Sequence, residues 1–382
     1  MSNLIPLFKV HMSPDVGKAV SDVLLSGYIG QGEKVKEFEK MLGSYVGNKN
    51  LITTNSATSA DHLALRLLSA PQDDDWAHLS PGDEVLTSAL TCTATNWPIL
   101  ANNFKIKWVD ADPTTCNIDL EDLKRKISPT TKAIMVVHWG GYPNDLDKLK
   151  EVQDYCFDKY GFKPYIIEDC AHSFGATYKG KKLGNHGNLC FFSFQAIKHF
   201  TTVDGGALFV PNEEFYKRSK LLRWYGIDRE SNRKDFRCEE DISEWGYKFH
   251  MNDVNATIGI ENFKFADKIV QAHRDNTSYY NESLKDTPGV TLMEDSDDRE
   301  SSCWIHTIKV ENQQGFMDHM KECNIMVSRV HERNDKHSCV SEFKNKLPNL
   351  DSLSAQMICI PNGWWITKEQ REYISSCIKK GW

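Results

Sequence analysis

Six short apolar runs, at 84–87, 106–109, 133–137, 165–167, 189–194 and 207–210, are separated in several places by helix-length segments such as 120–127 and 145–159. Strands spaced in this way need crossover connections, and crossovers make neighbouring strands parallel. The sequence therefore predicts an α/β fold around a mainly parallel sheet. A chain of 382 residues with 40% apolar content can bury a large core and suggests one large and one smaller domain. The pattern changes near residue 265. Segment 264–284 is long and helical, 291–293 and 304–310 are strand-like, 313–322 is helical, 325–330 is strand-like, and 368–380 ends the chain as a helix. We expect a large domain over 1–265, with an N-terminal arm, and a small domain over 266–382 closing over a site.

Three segments carry candidate chemistry. Lys198 stands in Ser193-Phe194-Gln195-Ala196-Ile197-Lys198-His199-Phe200-Thr201-Thr202-Val203-Asp204-Gly205-Gly206, just past one apolar run and just before another. A lysine at such a junction can be partly desolvated, which would lower its pKa and let the amine attack a carbonyl. Glu168 and Asp169 follow the run 165–167, where a parallel strand ends and ligands of open α/β sheets bind. A carboxylate there can keep a pyridine nitrogen protonated, as pyridoxal phosphate (PLP) requires. Ser56, Ala57 and Thr58 lead into an apolar helical face at 61–68, and a helix N-terminus is a ready phosphate site. Taken singly, a solvated lysine, a capping Asp169 and an ordinary N-cap stay open.

The order and spacing of these residues resemble the DegT/DnrJ/EryC1/StrS family of PLP-dependent sugar aminotransferases. The likeness begins at Ser26-Gly27-Tyr28-Ile29-Gly30-Gln31-Gly32 and passes through Pro81-Gly82-Asp83-Glu84-Val85, Asn117-Ile118-Asp119 and Val136-Val137-His138. It then takes in the Asp169 and Lys198 segments and Gly246-Tyr247-Lys248-Phe249-His250-Met251-Asn252-Asp253. The resemblance implies a fold type I, aspartate aminotransferase-like large domain that binds PLP. It makes Lys198 the lysine that bonds the cofactor and moves protons, and Asp169 the partner of the pyridine nitrogen. His172 falls near the cofactor's phenolic oxygen, and Ser193, Ala57 and Thr58 at its phosphate.

Three positions depart from the family pattern. Lys248 stands where the neighbouring subunit usually lends an Asn to the phosphate, and an ammonium serves that role well. Cys92 replaces an aromatic against the cofactor ring, and His250 replaces an Arg. His199 follows the lysine; relatives with His in place of the lysine dehydrate the sugar, but the lysine position here is filled by Lys198. The expected reaction is amination of a nucleotide-linked 4-keto-6-deoxysugar by L-glutamate, with amination at C3, an aminocyclitol substrate and a non-catalytic PLP-binding protein as alternatives. The resemblance also implies a homodimer with shared sites, so that Lys248 acts in trans. Arg223, Tyr225, Arg229, Arg329 and His331 are candidate substrate-wall residues.

Other classes find little support. A net charge of −7 and a single short basic run at 179–182 do not mark a nucleic-acid binder. No apolar run approaches a membrane span, and the N-terminus lacks a signal-peptide layout, so a cytoplasmic protein is expected. Eleven scattered cysteines without a Cys-x-x-Cys pair read as reduced and mostly buried. The run from His331 to His337 lacks further ligands, and no metal is expected. The acidic segment 71–76 reads as a solvated loop, and Trp364-Trp365 as packing or a substrate wall.

Overall fold

The computed structural model describes residues 4–382 apart from 71, 72, 74, 232–234, 236, 237 and 240. Pro71, Gln72 and Asp74 of the acidic segment thus lie outside the described residues. The strands of the first half are β1 (Leu51–Thr54), β2 (Glu84–Ser88), β3 (Lys105–Val109), β4 (Thr131–Val137) and β5 (Tyr165–Asp169). The two-residue β6 (Thr177–Tyr178) and β7 (Lys181–Lys182) precede β8 (Leu189–Ser193) and β9 (Gly206–Phe209). Later come β10 (Val290–Leu292), β11 (Arg299–Glu300), β12 (His306–Val310) and β13 (Met357–Ile360). Among the described residues, the helices up to β8 are α1 (Val16–Ser26), α2 (Glu33–Val46), α3 (Ala57–Leu67), α4 (Thr93–Ala101), α5 (Leu120–Lys126) and α6 (Leu146–Tyr160). They continue with α7 (Glu213–Leu222), α8 (Asp253–Phe263), α9 (Ala266–Leu284), α10 (Gln313–Glu322), α11 (Pro348–Gln356) and α12 (Lys368–Lys379).

Seven strands form one sheet in the order β1-β9-β8-β5-β4-β2-β3. The pairs from β8 to β3 are parallel, and β9 runs against both of its neighbours. All six expected strands are present, and β1 joins them as an edge the apolar pattern had not marked. Alternate residues face opposite layers. Ala133 and Met135 of β4 and Leu189 and Phe191 of β8 join one apolar cluster with α3. Ile134, Val136, Cys190 and Phe192 join another with α2 and α6. Burial on both faces is why these strands read as unbroken apolar runs.

As an edge strand, β1 has backbone groups without a strand partner. Glu39 Oε1 accepts the Thr53 N–H at 2.8 Å and its hydroxyl at 2.9 Å, while Arg223 Nη1 donates to the Thr53 carbonyl at 2.9 Å. Arg223 and Glu39 also pair with each other at 2.5 Å, so the clasp closes on itself. Two side chains do what a further strand would have done.

The antiparallel sheet β10-β12-β13 carries a third apolar cluster, with Tyr280 of α9, Phe316 of α10 and Ile374 of α12. Ile5 from the N-terminus packs into it, and Val340, Leu350 and Leu353 pack back onto the large sheet. The strand expected at 325–330 does not form. That segment makes only isolated bridges, from Ile325 to Ile5 and from Ser328 to Cys359, and Val330 adopts φ 67°, which no strand accommodates. β13 takes the place beside β12 instead. The long helix expected at 264–284 begins at Ala266, after a separate α8. Trp364 and Trp365 donate their indole N–H groups to carbonyls of Lys9 and Pro6, tying the N-terminal arm down. No helix among the described residues is long and apolar enough to cross a membrane.

Candidate active site

Strand register assembles the site. Ser193 at the end of β8 pairs with Gly206 at the start of β9, and Gly206 pairs with Thr54 at the end of β1. Neighbouring strands lie about 4.8 Å apart, so Ser193 and the residues after Thr54 are brought within two strand spacings. Ser56 caps α3 by accepting the Ser59 N–H at 3.1 Å. Gly206 is required here: a Cβ on it would sit 2.6 Å from the Ala57 nitrogen. The first amides of α3, without intrahelical partners, therefore open beside Ser193.

Lys198 lies in the loop that joins β8 to β9. Phe194 N–H bonds the Gly205 carbonyl at 2.9 Å and Thr202 N–H bonds the Phe194 carbonyl at 2.9 Å, which closes the loop on itself. From α8, the amides of Asn255 and Asn262 hold the carbonyls of Thr202 and Thr201 at 2.7 and 2.8 Å. Lys198 Nζ rests 3.7 Å from the ring centre of Trp304. Burial brings its amine down to about 8, against the opposing pull of Asp169 and Cys92.

Asp169 is the last residue of β5 and is buried. Thr95, on α4, donates to one oxygen at 2.6 Å and the Ala171 N–H to the other at 2.9 Å. Burial raises the carboxyl's pKa, and these donors and Lys198 oppose it. Beneath it, His138 and Glu168 meet at 2.9 Å, with Cys170 close by. His138 Nδ1 accepts the Asn144 backbone N–H at 3.0 Å, which leaves the ring proton on Nε2, donated to Glu168. That tautomer has no lone pair to offer a metal, so the trio serves as a brace for the end of β5.

His172 is buried and stacks on Trp304 with ring centres 4.0 Å apart. His331 lies parallel to it at 5.7 Å, and Trp139 meets both rings edge-on at 5.9 Å. His172 Nδ1 and His331 Nε2 have no hydrogen-bond partner. Burial lowers the pKa of both, that of His331 to about 4, so both rings are neutral at pH 7.

The other candidates are more spread. Cys92 caps α4 near Lys198, and Thr58 is exposed beside Ala57. Arg223 is buried in the β1 clasp. Tyr225 is exposed, and Arg229 covers the Trp224 ring at 4.1 Å. Lys248 is exposed and lies 4.3 Å over that same ring, while Arg329 pairs with Glu332 at 2.8 Å. Among them only His331 shares the aromatic contacts of His172. Trp304, Trp139, Thr95 and the two α8 asparagines were not anticipated. No local signal marked them, because each reaches the site from a distant part of the chain.

The donor set suits PLP. A buried carboxylate already fed by two donors fits a pyridine N–H, the α3 amides fit a phosphate, and an amine near 8 fits a carbonyl. The model of the DegT/DnrJ/EryC1/StrS aminotransferase family matches residues 11–379. The chain belongs to that family. It is thus a PLP-dependent sugar aminotransferase, and solved relatives include PLP and PMP forms. The fold is similar to that of AtS13 from Actinomadura melliaura, at TM-score 0.94 and 47% identity, covering all of both chains. It is equally similar to the sugar aminotransferase CalS13 from Micromonospora echinospora, at TM-score 0.94 and 44% identity over 99% of this chain and 100% of that one. A UDP-4-amino-4-deoxy-L-arabinose--oxoglutarate aminotransferase of Shewanella sediminis is 29% identical over 94% of each chain.

Proposed function

We propose that this family member aminates C4 of a nucleotide-linked 4-keto-6-deoxysugar, with L-glutamate as donor and 2-oxoglutarate released. The observation that carries the reading is the buried Lys198 amine, brought down to about 8 and held 3.7 Å from the Trp304 ring centre, in electrostatic reach of the buried carboxylate of Asp169. The name of the Shewanella relative, which pairs a 4-aminosugar with oxoglutarate, supports C4 and this donor. In this reading Ser193, Ser56, Ala57 and Thr58 hold the phosphate, Asp169 holds the pyridine N–H, and Cys92 lies against the ring. Bound PLP supplies the electron sink for the carbon being deprotonated. Lys198 Nζ would take the proton from the substrate carbon and pass it to the cofactor carbon that carries the amine, and the reverse transfer would serve the second half, with one base for both. His172 and His331 are uncharged, and their free nitrogens suit the phenolic oxygen and a sugar hydroxyl respectively.

The reading includes a homodimer in which Lys248 completes the partner's phosphate site. It divides the chain into a PLP-binding domain over 1–265 and a small domain over 266–382, the boundary falling between α8 and α9. The test is the visible absorbance of the PLP-loaded protein. Glutamate should bleach the band, and one nucleotide 4-ketosugar should restore it. Restoration only by a 3-ketosugar would move the amination to C3, and a band indifferent to glutamate would remove the donor assignment.

A further inference from the structure

Trp304 comes from a segment more than 100 residues beyond Lys198, yet it meets the lysine in two ways. Its ring centre lies 3.7 Å from Lys198 Nζ, well inside the roughly 6 Å range of a cation–π contact. Its indole N–H donates at 2.9 Å to the carbonyl of Ile197, the residue before the lysine. The ring cannot drift: it is 1% exposed and contacts Phe8 at 5.2 Å and His172 at 4.0 Å, both stacked.

We propose that Trp304 is the positioning residue for Lys198, a platform that receives the amine as an ammonium whenever the lysine is not bonded to the cofactor. The proposal rests on reading Lys198 as the cofactor lysine. The groups that face the amine are Asp169, Cys92, His172, His199 and His331. The three imidazoles are held neutral by burial, so they bring no positive charge against it. Burial disfavours the ammonium, and the Asp169 carboxylate and the indole face favour it. The indole therefore sets how readily the amine gives up its proton, and its N–H fixes where the amine stands. A base that must both take and return one proton needs that balance near neutrality.

The test uses protein loaded with pyridoxamine phosphate, which leaves Lys198 unbonded. Acetylation of Lys198 by acetic anhydride is followed by mass spectrometry across pH for wild type, Trp304→Phe and Trp304→Leu. The midpoint of the profile is read, because the plateau rate also reports access. Loss of the ring should lower the midpoint by about one pH unit, a tenfold shift toward the neutral amine. Trp304→Phe, which keeps a weaker ring and loses the N–H, should lower the midpoint by about half a pH unit, a threefold shift. Superimposed midpoints for all folded variants would overturn the proposal. If Trp304→Leu does not fold, the Phe variant decides by the same criterion. Borohydride reduction of the PLP-loaded wild type is the separate control: a label on a lysine other than Lys198 would defeat the site reading itself.

Discussion

A lysine that shuttles a proton to and from carbon has to spend time in both charge states, and an ordinary surface lysine does not do so at pH 7. Burial of Lys198 brings its amine to about 8, where both states are populated near neutrality. In the proposed reading, Lys198→Ala removes the group that bonds the cofactor and the base together. The expected result is no visible cofactor band after PLP addition and turnover lower by about 10²–10⁴-fold or more. Retained turnover in that variant would reject Lys198 as the base. At this scale the sequence was informative about groups with distinctive chemistry. Lys198 and Asp169 stood out because their types and neighbours are unusual for loops and strand ends, whereas His172 came only from the family resemblance. Trp304 and Thr95 could not be read, because a tryptophan or threonine signals nothing until the fold brings it to a partner 74 or more residues away. Arg223 illustrates the reverse. Its chemistry suits a phosphate, but the structure commits its guanidinium to Glu39 and Thr53.

Two elements carry consequences of their own. The β1 edge depends on an ion pair between buried Arg223 and partly buried Glu39, and removing Arg223 leaves that carboxylate, among the described residues, only the Thr53 N–H and hydroxyl as donors. Arg223→Met should therefore cost about 1.5–3 kcal/mol, measured by urea unfolding, while the double variant with Glu39→Leu should recover part of that loss. If the single variant unfolded at the wild-type midpoint, the clasp would be dispensable. Helix α3 holds a different tension. Asp61 is fully buried with neither carboxylate oxygen partnered, and burial raises its pKa well above the usual value, with Asp169 adding to the rise. A carboxyl raised in the folded state favours folding fully below its unfolded pKa, and that contribution is lost as pH rises through the folded value. Asp61→Asn keeps the shape and abolishes the ionisation. Its melting temperature should match wild type near pH 4 and exceed it by a growing margin toward pH 8. The gain is on the order of 1.4 kcal/mol for each pH unit over which Asp61 holds its proton. A constant difference across that range would show that Asp61 does not titrate between the two states. Elements were legible where both faces of a strand are buried, since composition alone then marks them. The segment 325–330 misled because its apolar residues do not share one buried strand: Ile325 is buried and Val327 half-buried in the third cluster, Met326 is exposed, and Val330 breaks strand geometry.

The surface of the whole molecule is uneven in a way that bears on assembly. Helix α1 buries none of its residues in the single chain, and Leu24, Leu25, Tyr28 and Ile29 are exposed at 52, 85, 84 and 48%. Exposed apolar groups gathered on the end of one helix and the turn after it mark an interaction surface, and homo-oligomers most often close as two-fold dimers. Lys248 stands apart from the Lys198 contacts and rests on Trp224 of its own chain. If the proposed dimer lends Lys248 to the neighbouring site, the two lysines of one working site come from different chains. Lys198→Ala and Lys248→Ala should each be impaired alone, the second through weaker PLP retention. Mixed by unfolding and refolding together, half of the dimers would be hybrids, and each hybrid would hold one site with both lysines. Activity should recover to about a quarter of wild type, the fraction that two-fold pairing dictates. A mixture no more active than its components would place both lysines of a site on one chain, or leave Lys248 outside it.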